Sequence, residues 1–398
     1  MQSFMYLTRE EELALEGYYG EARAIAMKVV VKVAEVSGAE RLVPVKHAHI
    51  SGISFKNIGE EGLEFLESLA SKGARFAVPT TVNPGAFDLE RRVEMKVDEG
   101  VVRGQFRVLD ALRRMGAKIS LSCTPYLYEM ISFRDHLAWS ESNAVLYANS
   151  VVGAMTNRDG GPLALFEAIS GRAPLSGLHL EENRVPSLLL DFSGIRSRLL
   201  ESGLIGAAGL VTGRITGSYV SLVRGLDLKN EDEVKLYLAA VGATGSTGLV
   251  LIEGVSPDLK HLRFSEHELE RITLDWSALT AELERYSGAG DAVAVAGCPH
   301  MSRRELAEIL EWVRRHGGAK RRLVLFASRA AVEGLVLNEP NVEVYADTCM
   351  VVSDLSRYAG RSVVTDSGKA AFYLASQGYA VRLVSRGELL KYVVGEGG

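Results

Sequence analysis

Short apolar runs in the last third of the chain alternate with polar turns and amphipathic segments. The runs at 291–297, 322–327, 342–347, 362–365 and 381–385 have the length and composition of buried strands. Most of the turns after them open a segment with helical spacing, and Ser302 has the character of a helix N-cap. Repeated strand–turn–helix units predict a largely parallel sheet flanked by helices, the α/β fold class.

The first part of the chain shows the same rhythm. It predicts two helices within 7–38, strands at 41–46, 75–78 and 118–122, and helices at 60–72 and 106–115. Polar side chains follow directly on the three strands: His47, His49, Ser51, Thr80, Thr81, Asn83 and Cys123. Because carboxyl ends of parallel strands share one edge of a sheet, these residues are expected to line one ligand pocket. Alternatively, the Ser, Thr and Asn residues simply build turns.

The middle of the chain is less regular. Segment 140–161 is rich in Ser, Asn and Gly, which indicates either buried hydrogen bonding around a ligand or a long surface loop. Residues 230–241 are predicted to be a helix capped by Asn230, and the glycine-rich 242–248 a loop that does not match a dinucleotide-binding motif. The expected domains are 1–150, 151–285 and 286–398.

Composition narrows the classes of protein. With 398 residues, 47% hydrophobic and 24% charged, the chain is an ordinary globular protein too long for one simple core. A net charge of −5 gives no electrostatic basis for binding nucleic acid or an anionic membrane. The sequence shows no signal peptide and no run of about 18 apolar residues, so no membrane span is expected. A cytoplasmic location is the simplest interpretation.

The chain has three cysteines, an odd number with no CxxC pair, which argues against a disulfide scaffold and a zinc ribbon. Cys123, Cys298 and Cys349 each fall at the predicted carboxyl end of a strand. We therefore expect them to meet at one site. Three thiolates select zinc, copper(I) or an iron–sulfur cluster. The alternative is three unrelated buried cysteines, since a free cysteine packs as a small hydrophobe.

The turn at 365–370, TDSGKA, opens a predicted helix with a lysine beside the free backbone N–H groups. Such a turn favours a carboxylate or phosphate. It is not a nucleotide-binding P-loop, because Val363 and Ala370 stand where glycine and Ser or Thr would be required. The alternative is an ordinary capped helix with an exposed lysine.

Several ordered motifs together resemble aconitase X, the divergent branch of the aconitase superfamily, over nearly the whole chain. They are AHISG, PTTVNPGAFD, the segment 140–161, GCPH, DTCM and TDSGKAAFY. The resemblance implies a multi-domain, aconitase-like α/β fold that lacks the small swivelling domain. It also implies a hydro-lyase whose iron–sulfur cluster, of the [4Fe-4S] type, is held by Cys123, Cys298 and Cys349. One iron then lacks a protein ligand and binds the substrate. Ordinary aconitases carry a CxxC pair, which is absent here, so the citrate reaction is not expected.

The resemblance further implies a separate small subunit, in a heterodimer, that carries the swivelling domain and a catalytic serine. The implied activity is dehydration of (R)-5-phosphomevalonate to trans-anhydromevalonate 5-phosphate, in an archaeal mevalonate pathway of isoprenoid biosynthesis. The family also includes cis-3-hydroxy-L-proline dehydratases, and that substrate or another hydroxy acid is the alternative. A non-catalytic, metal-binding α/β protein is the third hypothesis.

This mechanism assigns roles to particular residues. An anionic end of the substrate is expected at Ser367, Gly368 and Lys369. The rest of the substrate is expected at Ser51, Gly52, Thr80, Thr81 and Asn83, and the cluster is expected beside Ser142, Asn143 and Asn149. Lys369 and His49 are the predicted catalytic residues, with His47 as a further hydrogen-bond donor or proton carrier. A histidine after a strand is as often structural.

Overall fold

A computed structural model describes residues 5–336, 338–355, 358 and 362–396. Within these residues the chain forms three parallel sheets flanked by helices, which confirms the predicted α/β class. The helices are α1 (Arg9–Leu15), α2 (Glu21–Val36), α3 (Phe55–Ser71), α4 (Glu99–Arg114), α5 (Ser142–Tyr147), α6 (Gly161–Ser170), α7 (Arg196–Ser202), α8 (Ile205–Thr216), α9 (Glu231–Thr244), α10 (Trp276–Glu284), α11 (Arg303–Arg315), α12 (Arg329–Val332), α13 (Gly368–Ser376) and α14 (Arg386–Val393).

Shorter helical turns join these elements. A π-helical turn spans Ala148–Val152, and 3-10 turns span Pro125–Leu127, Gly177–His179, Glu181–Arg184, Ser193–Ile195, Pro257–Lys260 and Glu266–Glu268. In the described part of the chain, no helix combines the length and the apolarity needed to cross a membrane.

The first sheet has three parallel strands, β2 (His47–Ser51), β3 (Thr80–Asn83) and β4 (Leu137–Trp139), in the order β3–β2–β4. Strands β1 (Leu42–Pro44) and β5 (Arg172–Pro174) form a separate, short antiparallel ladder. All of β3 and most of β2 are buried. Helices α2, α3, α4 and α6 contribute to the core around this sheet.

The predicted strand positions in this sheet are wrong by several residues. The histidines, Ser51, Thr80, Thr81 and Asn83 lie within β2 and β3 rather than after them. Residues 75–78 form no strand, because their backbone bonds to non-strand segments; the Phe76 N–H donates to the Met115 carbonyl. Residues 118–122 make one isolated bridge to Thr81, and Leu121 has a φ of 48°, which interrupts extended backbone.

The second sheet contains β6 (Leu188–Asp191), β7 (Ser221–Arg224), β8 (Val250–Ile252) and β9 (Glu270–Thr273), all parallel, in the order β8–β7–β6–β9. Helix α9 is capped by Asn230 as predicted. It continues to Thr244, so the first residues of the glycine-rich stretch are helical rather than a loop.

The third sheet confirms the predicted strand–turn–helix rhythm. Its parallel strands are β10 (Val293–Met301), β11 (Leu323–Ala327), β12 (Val342–Tyr345), β13 (Ser362–Thr365) and β14 (Ala380–Leu383), in the order β12–β11–β10–β13–β14. Ser302 caps α11. The pairing of β10 with β11 stops after Ala296 and resumes at Met301, so the residues between them leave the ladder.

A shared apolar cluster holds the three parts of the fold together. It contains Phe87 from the segment between β3 and α4, Leu210 from α8 and Val295 from β10, all buried. Cys298 belongs to the same cluster. The carboxyl ends of strands in the first and third sheets are thereby held against each other, and the site described next lies between them.

Candidate active site between the first and third sheets

The three cysteines border one cavity of about 380 Å³. Cys123 precedes the Pro125–Leu127 turn, Cys298 lies in the interruption of β10, and Cys349 follows β12. The lining residues are Ser51, Gly52, Asn57, Asn83, Pro84, Cys123, Ser140, Glu141, Ser142, Arg158, Asp159, Gly160, Gly297, Cys298, Cys349, Val351, Val352, Lys369 and Tyr373. The structure therefore brings together the three thiols that the sequence places far apart.

Local backbone geometry explains how Cys298 reaches the cavity. Gly297 has a φ of 101°, and a Cβ there would lie 2.1 Å from the Phe326 carbonyl oxygen on β11. Glycine is thus required where the chain leaves the ladder. The Ser367 hydroxyl caps α13 and donates a hydrogen bond to the Cys298 carbonyl, which fixes the loop after the turn.

Charged groups fix the Cys349 loop. The Arg329 guanidinium lies 2.5 Å from Oδ1 of Asp88 and 2.5 Å from Oδ2 of Asp347. Asp88 also accepts a hydrogen bond of 2.7 Å from the Ala346 N–H. These contacts tie the segment before Cys349 to the first part of the chain, so the two sides of the cavity are linked directly.

The cavity contains a largely buried ion pair, whose two side chains are each 12% exposed. Lys369 Nζ lies 2.5 Å from Oε1 of Glu141 and 3.2 Å from the Ser142 hydroxyl. The amides of Asn83 and Asn143 also donate to Glu141, each at 3.2 Å. Burial opposes both charges, but each partner outweighs it: the pKa of Glu141 falls to about 2 and the pKa of Lys369 rises. A cation and an anion therefore coexist in the cavity at neutral pH.

The thiols respond differently to the same burial. Removal from water raises the pKa of Cys298 to about 12, and it raises the pKa values of Cys123 and Cys349 as well. These thiols remain protonated despite the nearby Lys369 ammonium group, and binding of a metal centre would deprotonate them. The three sulfurs are consequently suited to a metal group rather than to nucleophilic catalysis.

The donor chemistry of the three sulfurs limits the metal groups that fit the cavity. Among the described residues, no set of three or more His, Cys, Asp or Glu side chains is arranged to hold a single metal ion. Three sulfur donors on one cavity fit an iron–sulfur cluster by donor chemistry.

Five of the predicted substrate-binding residues line the cavity: Ser51, Gly52, Asn83, Ser142 and Lys369. In β2 and β3, Ser51 and Asn83 are partners in register at the carboxyl end of each strand. Only these last residues reach the edge, since earlier positions are covered by the sheet and its helices. Thr80 instead donates to the Val78 carbonyl, and Thr81 contacts His49.

The two histidines of β2 do not line the cavity. His49 is fully buried, its Nδ1 lies 2.7 Å from the Thr81 hydroxyl, and burial lowers its pKa to about 3. His47 accepts a hydrogen bond from the Trp139 indole. His49 interacts with the lining residues Asn83 and Glu141 rather than lining the cavity itself, and its catalytic role stays a prediction.

Other predicted residues support the site or lie outside it. The Asn143 side-chain amide donates to the Cys123 carbonyl at 3.0 Å and so helps to hold the Cys123 loop in position. Asn149 bonds to Thr156 and Gly248, remote from the cavity lining. Gly368 packs against the Gly206 backbone, where a Cβ would lie 2.5 Å from the carbonyl oxygen. Segment 140–161 is largely buried and partly helical, so the surface-loop alternative is wrong.

Among the lining residues that sequence reasoning missed, three are charged and one is aromatic: Glu141, Arg158, Asp159 and Tyr373. A signal for Glu141 was present, because it is the one Asp, Glu, Lys or Arg between Asp135 and Arg158. Arg158 is held in place by the Gly242 and Gly245 carbonyls at the end of α9. The second part of the fold thereby contributes a fixed cation to the cavity.

A larger cavity of about 650 Å³ lies among α7, α9, α11 and α14. Its lining mixes Glu and Asp residues with Lys229, Arg386 and Lys391, and it contains no thiol. Size alone does not identify a site of chemistry, whereas convergent thiols and a buried ion pair do. The cysteine cavity is therefore the candidate active site.

Two carboxyl groups, that of Glu167 and that of the cavity-lining Asp159, have raised pKa values. Glu167 on α6 is fully buried, and neither of its carboxyl oxygens has a hydrogen-bond partner among the described residues. Burial raises its pKa well above the usual range and raises the pKa of Asp159 to about 6. Burial therefore favours the protonated form of Glu167 in the folded state.

Glu167→Gln is expected to gain stability relative to the wild type as the pH rises from 5 to 8. In the folded state Glu167 keeps its proton to higher pH than in the unfolded state, so the wild type loses stability as pH rises above about 4.5. A glutamine side chain does not titrate in this range. The difference in unfolding free energy between Glu167→Gln and the wild type, measured by urea unfolding, should therefore grow between pH 5 and pH 8. The exposed Glu64→Gln is the control. An equal effect of Glu167→Gln at both pH values would contradict this expectation.

Models of three domains of one protein family match consecutive parts of the chain. Sequence models of the aconitase X first, second and third domains match residues 4–182, 186–284 and 291–395. The phosphomevalonate dehydratase large subunit of Aeropyrum pernix is 41% identical, over 98% of this chain and 100% of that protein. The cis-3-hydroxy-L-proline dehydratase of Hypocrea jecorina is 30% identical, over 92% of this chain and 65% of that protein.

A solved structure shows the same fold. The crystal structure of Thermococcus kodakaraensis aconitase X in its holo-form has a TM-score of 0.87 and 37% sequence identity. The match covers 98% of this chain and 100% of that chain.

Proposed function

The chain belongs to the aconitase X family, and we propose that it is the large, catalytic subunit of a phosphomevalonate dehydratase. The proposed reaction removes water from (R)-5-phosphomevalonate to give trans-anhydromevalonate 5-phosphate. The observation that carries this proposal is the cavity with three thiols beside the Lys369–Glu141 pair. Relatives named for this reaction are 34–41% identical, whereas those named for hydroxyproline dehydration are 30–31% identical.

Under this proposal Cys123, Cys298 and Cys349 hold a [4Fe-4S] cluster. Two observations support it: the thiols share one cavity, and the solved relative is described as a holo-form. The chain contains three cysteines, so one iron would have no cysteine ligand. When bound, the cluster would supply a Lewis acid for the departing hydroxyl group.

The residues of this chain would bind and orient the substrate. The substrate carries a carboxylate and a phosphate, and the cavity lining contains two basic side chains, Lys369 and Arg158. Lys369 is held by Glu141 and Ser142, so its ammonium group stays in one position. A fixed cation stabilises the negative charge that develops on the carboxylate when the neighbouring proton is removed. Asn83 and Ser51 add neutral hydrogen-bonding groups at the edge of the first sheet.

The proton-abstracting base is assigned to a separate small subunit, with a serine on a swivelling domain. The name of the large-subunit relatives supports such a partner. Within the cavity, the Glu141 carboxylate already accepts hydrogen bonds from Lys369, Asn83 and Asn143. With its pKa near 2 it is a weak base.

Anaerobic assay of the two-subunit complex tests this function. The complex is reconstituted with iron and sulfide, then incubated separately with (R)-5-phosphomevalonate and with cis-3-hydroxy-L-proline. Mass spectrometry should show loss of one water from the first compound and slower or no turnover of the second. Turnover of hydroxyproline alone would favour the alternative dehydratase. A colourless protein that binds zinc and converts neither compound would support the non-catalytic hypothesis.

A further inference from the structure

His300 contacts the loops of all three cysteines without lining the cavity. It lies two residues after Cys298 in the interruption of β10. Its backbone N–H donates to Cys123 Sγ at 3.3 Å. Its ring Nε2 lies 2.7 Å from the carbonyl oxygen of Thr348, the residue before Cys349. One residue thus connects three segments that are distant in the sequence.

The hydrogen bonds of the ring define its tautomer. A carbonyl oxygen can only accept, so Nε2 carries the proton and donates to Thr348. Nδ1 of the neutral ring then accepts, and the partner 3.3 Å away is the hydroxyl of Ser122, the residue before Cys123. His300, Ser122 and Thr348 are almost completely buried. The imidazole is therefore a rigid bridge between the Cys123 loop and the Cys349 loop.

A second set of contacts fixes His300 itself. Lys235 on α9 donates to the His300 carbonyl at 3.0 Å and lies 2.5 Å from Oε2 of Glu305 on α11. Lys235 and Glu305 are both buried. The backbone of His300 is consequently held by the Lys235–Glu305 pair as well as by the Cys123 sulfur, so its ring position does not depend on the cysteines alone.

We propose that His300 is a positioning residue whose ring holds the Cys123 and Cys349 loops at the separation that an iron–sulfur cluster requires. This inference rests on the cluster assigned under the proposed function. Partners that orient metal ligands typically change metal affinity about 10–100-fold when they are removed. His300 acts through the ligand loops, so its effect should appear in cluster retention before any substrate is added.

Three substitutions at this position separate the two ring contacts. His300→Ala removes both. His300→Gln places an amide N–H near the position of Nε2 and keeps the bond to Thr348, whereas His300→Asn keeps an acceptor near Nδ1 and loses that bond. The matched control is His179→Ala, because His179 is also buried and bonded through its ring, to His136, away from the cavity.

The full chain of each variant is reconstituted anaerobically with ferrous iron and sulfide, with and without the small subunit. Iron and sulfide per chain, the visible spectrum and the rate of iron release to a chelator are then measured. We expect His300→Ala to release iron about 10-fold faster than wild type. His300→Gln should approach the wild type and His300→Asn should not, while His179→Ala retains iron normally.

Each outcome has a definite meaning. If wild type takes up no iron and sulfide, the proposed cluster fails, and with it the premise of this inference. If wild type is loaded and His300→Ala retains iron equally well, the positioning role is wrong. If His179→Ala loses iron as fast as His300→Ala, the loss reflects general destabilisation of the protein, and the positioning role is wrong. If His300→Ala does not fold, the other two variants decide the question. Iron retention by His300→Asn that equals or exceeds retention by His300→Gln then overturns the inference.

Discussion

Replacing Cys123 by alanine is expected to remove both the visible absorption of the reconstituted complex and its dehydratase activity. Cys123 is one of three thiols on the cavity, and the chain has no further cysteine to substitute for it. Two thiolates from separate loops would leave the proposed cluster with two irons lacking protein ligands. Iron and sulfide analysis after anaerobic reconstitution measures the first effect, and turnover of (R)-5-phosphomevalonate measures the second.

The control for this substitution is Ser120→Ala, in the same loop. The Ser120 hydroxyl donates to the Val82 carbonyl at 3.2 Å and does not line the cavity. It should lower stability by about 1 kcal/mol while leaving iron content unchanged. A Cys123→Ala protein with the spectrum and iron content of wild type would exclude Cys123 as a ligand.

Lys369→Met is expected to lower both stability and catalysis by large amounts. The substitution leaves the Glu141 carboxylate buried without its cation, which typically costs about 3–5 kcal/mol. It also removes the fixed positive charge proposed to stabilise the substrate carboxylate, and we expect kcat to fall about 10²–10³-fold. Urea unfolding and anaerobic steady-state kinetics measure the two effects separately.

The double variant Lys369→Met with Glu141→Gln distinguishes the structural role from the catalytic one. It removes both charges, so most of the lost stability should return. Activity should stay low, because the cation is still missing. Recovery of activity together with stability would show that Lys369 acts only by neutralising Glu141, and the proposed contact with substrate would be wrong.

The third sheet could be predicted from sequence because its signal is local. Strands β11 and β13 are short runs bounded by turns and almost wholly buried in the parallel sheet, whereas the edge strands β12 and β14 are half-buried. The first sheet was less predictable. The TTVN sequence of β3 reads as polar turn chemistry, yet its buried Thr residues satisfy their hydroxyls at Val78 and His49. Tertiary partners, which no local pattern shows, decide that assignment.

The same limit applies to the site. Convergence of the cysteines follows from the rule that carboxyl ends of parallel strands share an edge. For Cys123 the rule gave the right location although residues 118–122 form no strand. Glu141 was missed because its partner Lys369 lies 228 residues away in the chain. A charge in an uncharged segment signals such a residue, but its partner is known only from the fold.

The linked contacts of the cavity also constrain the order of events in the cell. Its sulfurs come from residues 123, 298 and 349, and the segments that carry them are tied by Arg329 and His300. During translation no complete set of thiols exists until position 349 has left the ribosome. Delivery of the proposed cluster is therefore expected to follow synthesis of all three loops, and a carrier that donates iron and sulfide would have to act on a chain in which these loops have already folded together.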